Sequence, residues 1–148
     1  MQGAILVPAA VLALWSLVML GWLVLTRLPA LKNAGIDLAK SPPGGRGQDL
    51  DGVLPGEAQW KAHNYAHLME QPTLFYAVIM ILAIAGPARP DIALAWGYVV
   101  LRIIHSLWQA TVNRIPVRFA LFALATVCLV ALAVRALFAA LALAALAT

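Results

Sequence analysis

The chain has 148 residues, 64% hydrophobic and only 11% charged, with a formal net charge of +4 and a mean hydropathy of +0.90. A soluble domain carries about a quarter charged residues and must cover its surface with polar groups, so this composition excludes a water-soluble globular fold and fits one integral membrane domain. The pI near 9.7 is then read through where the cations fall along the chain, with no nucleic-acid partner expected.

The first apolar span covers 4–25, with Trp15 and Trp22 one heptad apart. No basic residue precedes it and its first cation, Arg27, follows it, as expected of a retained helix with an external N-terminus and not of a signal peptide. Residues 29–57 form the one long polar stretch. They hold Asp37, Asp49, Asp51 and Glu57 and a Pro/Gly-rich run at 41–47, which predicts a loop. The second span, 58–85, is amphipathic and charged in its first half and apolar in its second. Its interior Pro72 must kink the helix or be accommodated by its neighbours. The third span covers 92–112. The fourth, 116–137, belongs to an apolar run reaching Ala147, which at about 1.5 Å per residue outlasts a bilayer core and predicts a protruding or broken end. The expected fold is an all-α, four-helix membrane bundle. Lone Cys128, in an apolar run, is read as a small filler that excludes an intrachain disulfide.

Arg27, Lys32, Lys40, Arg46, Lys61, Arg114 and Arg118 cluster at the first and third connections, whereas the second holds only Arg89. The positive-inside rule therefore places the 1–2 and 3–4 loops in the cytoplasm and both termini outside.

Ionisable groups at membrane depth are costly and face a bundle interior, a partner or a cavity. His63, His67 and Glu70 recur at i, i+4 and i+7 on the second helix; Arg102, His105, Ser106, Gln109 and Asn113 follow the same rhythm on the third. Glu70 lies about 13 Å inward of Lys61, and Arg102 about 16 Å from Asn113. These matching depths predict a Glu70–Arg102 ion pair, which serves equally as structural glue or as part of a site. His63, His67, Glu70 and His105 also have the spacing of a helix-borne metal set, a weak signal that any two-histidine face produces; no metal is assigned. Arg114 and Arg118 read as snorkelling interfacial cations or as an anion clamp. Trp60, Trp96 and Trp108, with Tyr65, Tyr76 and Tyr98, read as interfacial anchors.

The run NYAHLMEQPTLFY (64–76) resembles the second-helix signature of the MAPEG family, membrane-associated proteins in eicosanoid and glutathione metabolism. RIIHSL (102–107) and NRIPVR (113–118) resemble that family's third-to-fourth helix segment, in a form that looks like its bacterial branch. The resemblance implies a homotrimer of four-helix subunits in a bacterial inner membrane. It implies glutathione bound between subunits near the cytoplasmic side and an arginine that stabilises its thiolate for attack on a lipophilic electrophile. Carried over, Arg118 is the thiolate-stabilising residue, with Arg114 as a second basic position, and Glu70, Arg102 and His105 match polar site positions. The expected ligand-binding set is His63, His67, Glu70, Arg102, His105, Gln109 and Asn113. The sequence departs from the glutathione-using branches at His67 and His63, where those have Asn and Arg, and at Gln109, where a Tyr is common. The expected function is a glutathione-dependent transferase or peroxidase, with the chain itself, membrane lipids and a lipophilic substrate as partners. The alternatives are a non-catalytic member binding a lipid or small anion, and a metal-dependent membrane enzyme built on the histidines.

Overall fold

The computed structural model describes residues 2–41 and 43–146; Pro42 of the polar loop and Ala147 at the end of the fourth apolar run lie outside them. Four helices follow one another: α1 (Gln2–Asn33), α2 (Gly56–Ala85), α3 (Arg89–Thr111) and α4 (Ile115–Ala145). The loop between α1 and α2 holds two short 3-10 turns, Leu38–Lys40 and Gly47–Leu50.

Each boundary has a local cause. α1 outruns the expected span because Pro29 is taken up inside the helix, and the stop comes at Gly35. There φ is +71°, the Gly35 N–H donates to the Lys32 carbonyl at 3.1 Å and the Ile36 N–H to the Leu31 carbonyl at 3.0 Å. This is the double closure of a Schellman motif, which needs a residue free to adopt positive φ. α2 starts after Pro55, passes through Pro72 without a break and stops at Gly86. Pro90 sits in the first turn of α3 and Pro116 in that of α4, where the missing N–H costs no helix bond. α4 shows no break: its 31 residues extend about 46 Å, well past a hydrocarbon core of roughly 30 Å.

α2 and α3 form the centre. α1 packs on both, α4 packs on both, and α1 and α4 make no contact with each other among the described residues. Leu12, Met19, Leu68, Phe75, Ile79, Leu82, Tyr98, Val99 and Leu132 are buried between the helices, with Ala95, Ala110, Ala125 and Ala136 at the close approaches. Outward-facing positions are also apolar, including Leu14, Leu17, Leu25, Ile84, Val127 and Phe138. A surface of this kind suits lipid as solvent. Three helices, α1, α2 and α4, are long and apolar enough to cross a membrane; α3 carries the buried polar face of Arg102, His105, Ser106 and Gln109.

Two polar ties in the middle of the bundle, centred on Ser106 and Gln71, help fix the helices against each other. Asn64 Nδ2 (α2) donates to Ser106 Oγ (α3) at 2.7 Å, and Trp15 Nε1 (α1) donates to the same oxygen at 3.0 Å. Gln71 Nε2 (α2) donates to Thr126 Oγ1 (α4) at 2.8 Å, and Tyr98 (α3) donates its hydroxyl to Gln71 Oε1 at 3.3 Å. Tyr98 is fully buried and stacks on Phe75 with centroids 4.4 Å apart. It is a core residue and not the interfacial anchor that its ring chemistry suggests.

Candidate functional site

One helical turn from the Gln71 tie, the layer of His67, Arg102 and Phe122 forms the base of the site. Arg102 has no exposed surface. Its Nη2 donates to the His67 carbonyl at 2.8 Å and to His67 Nδ1 at 3.2 Å, while Nε and Nη1 have no partner among the described residues. The guanidinium also lies 5.9 Å from the Phe122 ring centre. A buried cation with unfilled donors gives the layer a standing demand for an acceptor.

Above it the His67 and His105 rings stack, with centroids 5.0 Å apart and planes at 23°, and Phe122 leans on His67 at 5.3 Å. A cavity of about 190 Å³ opens here, lined by His67, His105, Ile115, Arg118, Phe119 and Phe122. Arg118 is half-buried at its edge, and its Nη1 donates to Asn113 Oδ1 at 2.7 Å. Asn113 ends α3 in the left-handed region at φ +54°, its N–H closing on the Trp108 carbonyl at 2.8 Å. Asparagine tolerates that conformation better than most residues. Trp108 Nε1 in turn donates to the Arg114 carbonyl at 3.2 Å. The α3–α4 turn is therefore braced at the point from which Arg118 projects.

The structure sorts the expected site residues into groups. His67, His105 and Arg118 converge on the cavity, with Arg102 beneath and Asn113 acting through Arg118 from the turn and not from the helix face. Gln109 is buried a turn beyond His105, outside the cavity lining. Arg114 is exposed and caps α4. His63 does not join the site: its Nε2 lies 3.1 Å from Asp51 Oδ1, because the polar loop folds back onto the first turns of α2, where Gln59 Nε2 also donates to the Leu50 carbonyl.

Glu70 is exposed, and the expected Glu70–Arg102 ion pair does not form. Three residues beyond His67, Glu70 is rotated about 60° away around the helix, and His67 takes the Arg102 bonds instead; the two charges remain within electrostatic range. Nor do His63, His67, Glu70 and His105 gather around a point: among the described residues no three metal-ligating side chains lie within reach of one ion. Ile115, Phe119 and Phe122 escaped the sequence reading, although Ile115, Arg118, Phe119 and Phe122 fall at i, i+3, i+4 and i+7 on α4, a single helix face.

At the opposite end of the bundle Asp91 is buried. It accepts from the Ala88 N–H at 2.7 Å and from Arg135 Nε, which ties the start of α3 to α4.

The bundle defines a polytopic helical membrane protein with a cavity in which His67, His105 and Arg118 face Ile115, Phe119 and Phe122. The chain belongs to the MAPEG family: the family model matches residues 5–138, nearly the whole chain. No curated protein and no solved structure matches it.

Proposed function

We propose that the protein is a glutathione-dependent transferase acting on a lipophilic electrophile, working as a homotrimer in a bacterial inner membrane with the α1–α2 and α3–α4 loops on the cytoplasmic side and both termini outside. The observation that carries this reading is Arg118, oriented by Asn113 at 2.7 Å on the rim of a cavity walled by Ile115, Phe119 and Phe122. A fixed guanidinium beside apolar space favours the thiolate over the thiol and leaves room for a greasy co-substrate. The thiol proton passes to solvent, the sulfur lone pair forms the new S–C bond, and the leaving group, chloride in an aryl chloride, departs with the C–Cl electron pair. His67 and His105 hold the anionic part of the tripeptide, with Arg102 behind them holding His67 in place; Arg114 and Glu70 stand outside the cavity lining.

Millimolar glutathione should raise the melting temperature of the detergent-solubilised protein by mass action, and an electron-poor aryl chloride should be conjugated. Arg118→Ala should lower kcat about a hundredfold, the size expected for removing one charge-stabilising donor. No thermal shift and no conjugate would overturn the reading.

One observation favours a second reading, a non-catalytic member that binds a lipid headgroup or small anion. His63, at a position where the resemblance implies a ligand contact, is held by Asp51 instead, and Gln109 lies outside the cavity lining. An anionic lipid that copurifies and is lost in Arg118→Ala, together with no conjugation, would select it.

A further inference from the structure

We propose that His67 is a fixed hydrogen-bond donor to the anionic group of the ligand and not the base that deprotonates it; which ligand it meets rests on the function proposed above, but the state of the ring does not. Arginine has only donors, so the 3.2 Å contact from Arg102 Nη2 to His67 Nδ1 requires that Nδ1 offer its lone pair. A neutral imidazole that accepts at Nδ1 carries its proton at Nε2, and an imidazolium has no lone pair to offer. The second Arg102 bond, to the His67 carbonyl at 2.8 Å, holds guanidinium and ring to the same residue. Nε2 is neither sealed off nor bonded among the described residues, and His67 lines the cavity with Arg118. The ring therefore presents an N–H to the cavity that the Arg118 side chain also lines. An acceptor such as a carboxylate or thiolate satisfies both, and the ring has no free lone pair at Nε2 with which to take a proton.

Two measurements on the whole 148-residue chain test this. In ¹⁵N-histidine NMR at neutral pH, the resonances lost in His67→Gln should report an unprotonated Nδ1 and a protonated Nε2; the opposite tautomer or an imidazolium would overturn the proposal whatever the protein binds.

The second compares two isosteric replacements with glutathione and an aryl chloride. Glutamine accepts from Arg102 through its oxygen and donates through its amide, reproducing the polarity of the ring. Glutamate accepts from Arg102 but presents a carboxylate to the anion. His67→Gln should recover most of the glutathione affinity that His67→Glu loses, with KM in the Glu variant at least about tenfold above that of the Gln variant, the scale of one charge-assisted hydrogen bond. Activity kept by Glu and lost by Gln would mark His67 as a base and overturn the proposal. A wild-type protein that neither binds nor conjugates glutathione would remove the proposed function, and the NMR tautomer would still decide the role of the ring.

Discussion

Arg102 shows how a buried charge is tolerated here: both of its hydrogen bonds go to one residue, His67, and two of its nitrogens are left without partners among the described residues. Its volume therefore matters more to the ligand-free fold than its charge does. Arg102→Met, which fills the same space without unfilled donors, should stay within about 1 kcal/mol of wild type in detergent unfolding, while Arg102→Ala should lose about 3 kcal/mol through the cavity it leaves. Asn113 separates conformation from contact in the same way. Asn113→Gly keeps the positive φ and should unfold like wild type, yet conjugate more slowly because Arg118 loses its 2.7 Å partner. Asn113→Ala should show the slower conjugation and also a lower melting temperature, since alanine lacks the short polar side chain that eases asparagine into φ +54°, a loss of about 1 kcal/mol.

Much of the site was legible in residue types: Arg102, His105 and Arg118 stand out as charges and imidazole in apolar helices, and they do converge. What was not legible is which groups touch. Depth along two helices matched Glu70 with Arg102, but depth says nothing about rotation, and His67 stands nearer the α3 seam.

The helices are held in register by single polar ties. Gln71 bonds Thr126 and accepts from Tyr98 one turn from the layer of His67, Arg102 and Phe122. Gln71→Leu would strand the Tyr98 hydroxyl in the core and should lower unfolding stability by about 1–3 kcal/mol, with a weaker glutathione-induced thermal shift because the cavity walls lose their spacing. At the other end, burial raises the Asp91 carboxyl, but the bonds from Arg135 and the Ala88 N–H outweigh it and hold the group below the ordinary 3.8. Asp91 precedes the apolar span of α3. A depressed folded value means stability that is present above the unfolded carboxylate range and lost as pH falls through the folded value. The stability advantage of wild type over Asp91→Asn should thus be full above about pH 4 and fade below it, as read from unfolding midpoints across a pH series. Hydropathy located the four helices, of which α1, α2 and α4 are long and apolar enough to cross a membrane. The true end of α1 was not legible, because Pro29 looks like a stop and the effective stop is the closure at Gly35.

On the scale of the molecule, Glu70 is an exposed carboxylate on a helix that is apolar enough to cross a membrane. Facing acyl chains it would be costly, so within the proposed trimer its place is against a second copy. Glu70→Leu should leave the monomer helical by circular dichroism and shift the detergent-solubilised protein to smaller species in size-exclusion chromatography with light scattering. An unchanged mass would count against that placement. The all-α membrane bundle followed from composition together with the lengths of the apolar spans, whereas helix neighbours did not, since periodicity shows that a face is buried without naming what covers it.

The outer helices α1 and α4 do not meet among the described residues, and the most extensive packing runs within the α1–α2 and α3–α4 pairs. Mechanically the chain is two hairpins clasped along one seam. Drawn out of a bilayer by a tether on its C-terminal end, it should give two main rupture events, the α3–α4 pair leaving first and the α1–α2 pair holding its grip until a second peak.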